Sequence, residues 1–341
     1  MTLPSGGTAF HDELMAIADD LSARFRERDV RALARAISLV ERRDPAVREL
    51  VESLRDEVRR PYVIGLTGAP GTGKSTLADA LVSLLRKREQ SVGVIGVDPN
   101  SPYSGGALLG DRIRMQRHAL DPRVFIRSMG ARGHLGGLSV ATREAIRLLG
   151  AFGFEYVLLE TVGVGQSELE VAAVADTTVV VLTPGLGDGV QMIKAGIMEI
   201  ADVFVVNKAD LPGSQRTMQE IRSMLNMGPK LDWKPPIVGT VAAREDRIED
   251  LMKAVEKHRA YLDTSGEGRT RAEARLKDEA ADLVAEWSRG QARRLLDEDR
   301  DLTHRLLQDR VPYAAAEAIL TREGPSLVPE PARRSGKAAK R

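Results

Sequence analysis

Eight consecutive residues, Gly68-Ala69-Pro70-Gly71-Thr72-Gly73-Lys74-Ser75, carry the strongest chemical signal in the chain. Glycines at this spacing let successive backbone N–H groups turn inward around anionic oxygens. A helix that follows directs its positive end at the same oxygens. Lys74 can then reach the β- and γ-phosphates of a nucleotide, and the Ser75 hydroxyl can ligate Mg2+. The flanks agree with this reading. Tyr62–Thr67 reads as a buried strand, and Thr76 opens a helix through Leu81.

A second motif speaks for the base. Asn207-Lys208-Ala209-Asp210 follows the apolar run Val203-Phe204-Val205-Val206. The Asp210 carboxylate can accept from the N1–H and the 2-amino group of guanine. Adenine offers neither donor in that arrangement, and such a mismatch discriminates by about 10⁴-fold. Asn and Asp also end strands for local reasons, but here they follow a phosphate loop in the expected chain order. Further on, Thr240-Val241-Ala242 ends a strand-like run where a backbone N–H can meet the guanine carbonyl.

The metal side draws on three more segments. Asp98 ends the run 92–98 and is placed to hold Mg2+ through water. Asp111 closes a Gly-rich segment. It reads either as part of a switch ordered by phosphate and metal or as a helix N-cap before Ile113 and Met115. Glu160 ends the run 155–160 as an acid on the metal shell, and the Gly163 N–H can bond the γ-phosphate. Val164 stands directly after Gly163, where many GTPases carry a water-orienting Gln. Gln166 is the nearest substitute, so intrinsic hydrolysis is expected to be slow and completed by a partner or a loop. The catalytic candidates are Lys74, Asp111, Glu160 and Gln166, and the metal candidates are Ser75, Asp98, Asp111 and Glu160. The Gly-rich stretch from Pro184 to Gly196, with Asp188 and Lys194, reads as a further mobile loop or as a plain solvated connection.

These residues need a scaffold that delivers them to one edge. Apolar runs at 62–67, 92–98, 155–160, 178–183, 203–207 and 237–241 alternate with amphipathic segments, the pattern of a mainly parallel sheet covered by helices on both faces. The expected fold class is α/β, a P-loop NTPase with helical extensions at both ends. Residues 1–60 read as a helical extension, with Val30, Leu33, Ala34, Ile37 and Val40 on one stripe and Val47, Leu50, Val51, Leu54 and Val58 on another. Asp44-Pro45 starts the second helix. Residues 61–261 form the nucleotide-binding domain. Residues 262–330 read as a helical arm whose narrow apolar face, from Leu276 to Leu307, packs on its own chain or on a second copy. Residues 331–341 read as a disordered basic tail.

Composition narrows the classes. In 341 residues, 50 Lys and Arg balance 49 Asp and Glu, so no global electrostatic footprint for nucleic acid exists. Cysteine is absent, which removes disulfides and thiolate metal sites and fits a reducing cytoplasm. No signal peptide and no bilayer-long apolar run is visible, so a cytoplasmic protein without a membrane span is expected.

Taken together, GAPGTGKST (68–76), VDPNSPYSGGALLGDRIRM (97–115), HLGGLSVATRE (134–144), ETVGVGQSE (160–168), GDGVQMIKAG (187–196) and NKAD (207–210) resemble the methylmalonyl-CoA mutase-associated GTPases. This is the MeaB/ArgK family, whose human relative is the MMAA protein, and the similarity covers roughly residues 30–320. The resemblance implies a GTP-hydrolysing chaperone, with GTP or GDP and Mg2+ as its own ligands. It implies a homodimer built through the C-terminal arm. It further implies an adenosylcobalamin-dependent acyl-CoA mutase as client, with adenosylcobalamin entering only through that partner and loaded from cobalamin adenosyltransferase. By motif match, Lys74, Ser75, Asp98, Asp111 and Glu160 would be the phosphate and Mg2+ residues, and 185–196 a third switch. The chain departs from the family pattern at Asn100, at Gly189-Val190, and at Arg247, where a Gly is usual before Ile248. Three rival readings are a metal-delivery GTPase, an ATP-using transport kinase and a regulatory GTPase without a cobalamin client. The first lacks ligands: there is no Cys, and His11, His118, His134, His258 and His304 are scattered. The Asn207–Asp210 motif opposes the second.

Overall fold

In a computed structural model, described for residues 6–57, 59–98, 115–130, 137–161, 167–185, 198–228, 231–309 and 311–322, seven parallel strands form one sheet. They are β1 (Tyr62–Thr67), β2 (Val92–Asp98), β3 (Val124–Gly130), β4 (Tyr156–Thr161), β5 (Thr177–Leu182), β6 (Val203–Asn207) and β7 (Ile237–Thr240), in the spatial order β3-β2-β4-β1-β5-β6-β7. The expected α/β class is what the chain adopts. Strands β4, β5 and β6 are buried along their whole length, because helices cover both faces and no residue can turn a polar side to water. The chain leaves β1 toward one side and returns to the other, so β1 lies at the switch point. Its C-terminal end opens into the crevice where such sheets bind ligands.

One strand was not legible. Val124–Gly130 carries Arg127 and Ser128 in mid-strand and gives no apolar run. It is an edge strand, paired among the described residues with β2 alone. Phe125 and Met129 are its buried residues. Its arginine is tolerated because Arg127 Nη2 donates to Ser38 Oγ at 2.9 Å and also to the Glu41 carboxylate.

One face of the sheet is covered by α2 (Val30–Arg42), α3 (Ala46–Ser53), α5 (Gly137–Ala151) and α6 (Ser167–Val174), sharing a core with Val63, Ile95, Val157 and Leu159. The expected stripe of α2 is there, except that Val30 at its start is half exposed. Asp29 caps α2 by accepting from Arg31 N at 2.8 Å, and Asp44 Oδ1 accepts from Ala46 N at 3.0 Å. The helix α1 (Gly6–Arg26) precedes them. The opposite face is covered by α4 (Lys74–Lys87) and α8 (Ile248–Ser265), with Leu77, Leu81, Leu251 and Val255 fully buried. Between these two in sequence, α7 (Ser214–Met227) packs on β6 through Met218 and Ile221. Helix α6 lies hard against β1: a Cβ on Gly65 would sit 2.5 Å from Val171 Cγ1, so only glycine permits that spacing.

Beyond α8 come α9 (Glu267–Glu298), α10 (Arg300–Asp309) and α11 (Pro312–Arg322). Contacts divide the chain into two units, residues 12–275 and residues 1–11 with 276–341. The second has its own small core of Leu302, Ala315 and Ile319, with Leu295, Leu296 and Leu306 packed against it. Among the described residues, no helix is long and apolar enough to cross a membrane.

Candidate nucleotide site

The loop between β1 and α4 has the backbone that its sequence demands. Gly68 has φ +141, and a Cβ there would meet Val181 O at 2.2 Å. Gly73 has φ +89, and a Cβ there would meet Asn207 Nδ2 at 2.5 Å. Both positions therefore exclude every other residue, for conformation and for space. Within the loop, Thr72 Oγ1 donates to Ala69 O at 2.8 Å, while Pro70 and Gly71 face outward. Lys74 is nearly buried. Its Nζ donates to Gly68 O at 2.7 Å and to Ala69 O at 3.2 Å. The ammonium is thus held over the cradle by the loop's own carbonyls. Thr76, the last residue of the run, is exposed on the first turn of α4.

Ser75 and Glu160, 85 residues apart in sequence, are in contact. Ser75 Oγ donates to Glu160 Oε1 at 2.5 Å, and both residues are buried. Glu160 reaches the loop because the parallel register places it beside Leu66, at the same sheet edge. Next to it, the hydroxyls of Thr67 and Thr161 are buried without a hydrogen-bond partner among the described residues. An all-oxygen pair at a phosphate cradle, with unsatisfied hydroxyls beside it, fits a hard cation such as Mg2+ and offers nothing to a soft one. Asp98 ends β2 opposite Gly130 at this same edge of the sheet. Asp111, Gly163 and Gln166 lie outside the described residues, as do Asp188 and Lys194.

At the end of β6, Asn207 is a three-way brace. Its Nδ2 donates to Thr72 O at 2.9 Å, and its Oδ1 accepts from Ala242 N at 3.1 Å and from Thr240 Oγ1 at 3.3 Å. One buried amide therefore ties the phosphate loop to the end of β7. The adjacent Lys208 has φ +55, and its Nζ donates to Gly71 O at 2.9 Å. Ala209 N donates to Thr240 O at 2.9 Å. These bonds leave Asp210 part-exposed beside the turn Ala242–Arg244, where its carboxylate lies 3.5 Å from Arg244 Nη2. Both candidate amides are engaged within the chain: Val241 N–H donates to Asp246 O at 3.2 Å, and Ala242 N–H donates to Asn207 Oδ1 at 3.1 Å.

Sequence reasoning did not foresee a second charged cluster at the opposite, N-terminal edge of the sheet. Asp176 Oδ2 accepts from Val63 N at 2.9 Å, and its Oδ1 meets Arg60 at 2.9 Å and Arg275 at 3.0 Å. Asp202 Oδ2 accepts from Thr178 N at 2.8 Å, and its Oδ1 lies 3.1 Å from Arg271 and 3.2 Å from the fully buried His258. Burial would raise the Asp202 pKa, but His258, Arg271 and the Thr178 N–H outweigh it and hold the carboxyl below its ordinary range. The only sequence signal was an Asp one or two residues before each of two apolar runs.

A parallel sheet with this phosphate loop after its central strand defines the class: the protein is a P-loop GTPase. A family model described as methylmalonyl Co-A mutase-associated GTPase MeaB matches residues 33–293. A protein of Pyrococcus abyssi named as a GTPase is 45% identical over 309 residues, covering 89% of this chain and 95% of its own. GTPase ArgK of Escherichia coli is 38% identical over 280 residues, covering 79% and 81%. The mitochondrial methylmalonic aciduria type A homolog of Caenorhabditis elegans is 36% identical over 256 residues, covering 69% and 63%. Among solved structures, one titled LAO/AO transport system kinase superposes with TM-score 0.66 at 26% identity, over 90% of this chain and 97% of its own. The chain belongs to the MeaB family.

Proposed function

We propose that this GTPase serves an adenosylcobalamin-dependent acyl-CoA mutase, gating the loading of that enzyme's cofactor and protecting it from inactivation. The observation that carries the reading is the family match across residues 33–293, a family named for its association with methylmalonyl-CoA mutase. The Caenorhabditis elegans relative, named for methylmalonic aciduria, supports the same client class.

In this reading GTP enters with its phosphates on 68–76. Lys74 exchanges its loop carbonyls for phosphate oxygens as charge develops in transfer. Ser75 and Glu160 would hold Mg2+, Asp98 and Asp111 would complete its shell, and Gly163 would contact the γ-phosphate. The metal supplies charge neutralisation at the phosphates. Asn207, Lys208, Asp210, Val241 and Ala242 would hold the base. Gln166 would orient water, and a partner would raise a slow intrinsic rate. The proposal extends to the divisions 1–60, 61–261, 262–330 and 331–341, to a homodimer built through the 262–330 arm, to contact with cobalamin adenosyltransferase, and to a cytoplasmic setting.

The test is GTP hydrolysis by the purified chain, alone and with the acyl-CoA mutase of its own genome, with ATP as control. A slow GTP-only rate that rises several-fold with the mutase supports the reading. A rate unmoved by every such mutase leaves a regulatory GTPase without a cobalamin client. ATP turnover would remove the guanine assignment.

A further inference from the structure

Behind the nucleotide contacts, a charged relay joins the helix of the phosphate loop to the turn on the base side. Arg117 sits in the turn Gln116–His118. Its guanidinium grips Asp79 of α4 with Nε at 3.0 Å and Nη2 at 2.6 Å, and its Nη1 reaches Glu245 Oε1 at 2.8 Å. Lys87, at the far end of α4, donates to Glu245 Oε2 at 2.9 Å. One oxygen of Glu245 is therefore held by Lys87 of α4 and the other by Arg117, itself anchored on α4 through Asp79, and Lys87 and Arg117 keep its carboxyl below the ordinary range.

Glu245 occupies a demanding place. It ends the turn Ala242–Arg244 in the left-handed region at φ +55, and its N–H donates to Ala242 O at 3.1 Å. A non-glycine residue stays there only when its surroundings over-determine it. Exposed ion pairs of this kind add little stability singly. A planar fork bridging two carboxylates, however, fixes direction as well as distance. The same helix α4 begins with Lys74 and Ser75. One rigid rod thus sets the spacing between the phosphate cradle and the turn that carries Ala242.

We propose that Arg117 and Glu245 are positioning residues for guanine recognition, fixing the turn Ala242–Arg244 so that the Ala242 N–H stands where the base carbonyl is read. This rests on the assignment of Asp210 and Ala242 to the base. The test measures equilibrium binding of fluorescent GDP and ADP with Mg2+, and kcat for GTP at saturation, in Arg117→Ala, Arg117→Lys, Glu245→Gln and Asp210→Ala. Loosening the turn should weaken GDP binding roughly tenfold in Arg117→Ala and shrink the preference over ADP in proportion. Glu245→Gln should move the same way, Arg117→Lys should recover part of the loss, and kcat at saturation should stay within about twofold. A folding defect would not produce this split between affinity and kcat, and Glu245→Gln stands in should Arg117→Ala fail to fold. Wild-type GDP affinity in both Arg117→Ala and Glu245→Gln, with Asp210→Ala impaired, would overturn this proposal alone. A fall in kcat at unchanged affinity would overturn it too. Full GDP preference in Asp210→Ala would overturn the base assignment and this proposal with it.

Discussion

The two edges of the sheet use polar groups in opposite ways. At the C-terminal edge, Lys74 rests on the carbonyls of its own loop, Ser75 and Glu160 hold each other, and the Thr67 and Thr161 hydroxyls have no hydrogen-bond partner among the described residues. At the N-terminal edge, Asp176 and Asp202 each bind a strand N–H and cations on neighbouring elements. The first edge holds groups whose best partners would come with a ligand. The second spends its charges on joining β1, β5, β6, α8 and α9, where unpaired burial would be costly. The contrast lies in the charges: the carboxylates of the second edge are matched by strand N–H groups and cations of the chain itself, although His258 Nε2 and Arg275 Nε there, like the two threonine hydroxyls, make no hydrogen bond among the described residues.

The sharpest way to break this contrast is to remove one group from each edge. Lys74→Ala should lower kcat for GTP by on the order of 10²-fold or more, because a positioned cation at transferring phosphate is lost. Its unfolding midpoint should stay close to wild type. A large drop in stability would mean that the lysine serves the scaffold as well. Asp202→Ala should do the reverse. It should cost about 3 kcal/mol in urea unfolding, since His258 and Arg271 lose their buried partner, and leave GDP affinity unchanged. Weakened GDP binding in that variant would show that the edges are coupled.

Acidification reads the same edge in the wild type. Asp202 has a depressed folded pKa, so its contribution is fully present above the unfolded value near ~3.9 and is lost as pH falls through the folded value below it. Unfolding followed between pH 5 and pH 2 should show that loss, and Asp202→Asn should flatten it. The smallest effect belongs to Arg247. Its backbone is left-handed at φ +59, a region that glycine enters without steric cost. Arg247→Gly should stabilise by about 1 kcal/mol, less a small loss from the exposed 3.0 Å pair with Asp250. A neutral or destabilising result would mean that the arginine does more at this turn than tolerate strain.

How much of this was legible depended on range. The loop 68–76 and the motif 207–210 could be read because their chemistry is local: contiguous N–H groups, or one side chain at a strand end. Six strands were visible as apolar runs. The seventh was hidden because an edge strand needs only Phe125 and Met129 buried, and its arginine is paired by Glu41, 86 residues away. Asn207 was expected as part of a base motif, but its bond to Thr72 spans 135 residues and no spacing announces it. The Arg117–Glu245 pair likewise closes 128 residues.

By itself the sequence determined the phosphate loop, the base motif and the alternation that makes a parallel sheet. Each of these is written in neighbouring residues whose conformational limits and hydrogen-bonding groups act over a few ångströms. Only the tertiary structure decided which strand lies at the edge, that Glu160 meets Ser75, that Asn207 braces two loops, and that two aspartates fasten the far edge. Those contacts depend on strand order and register, which set distances between residues far apart in the chain, and the energy that selects them is shared across the whole core.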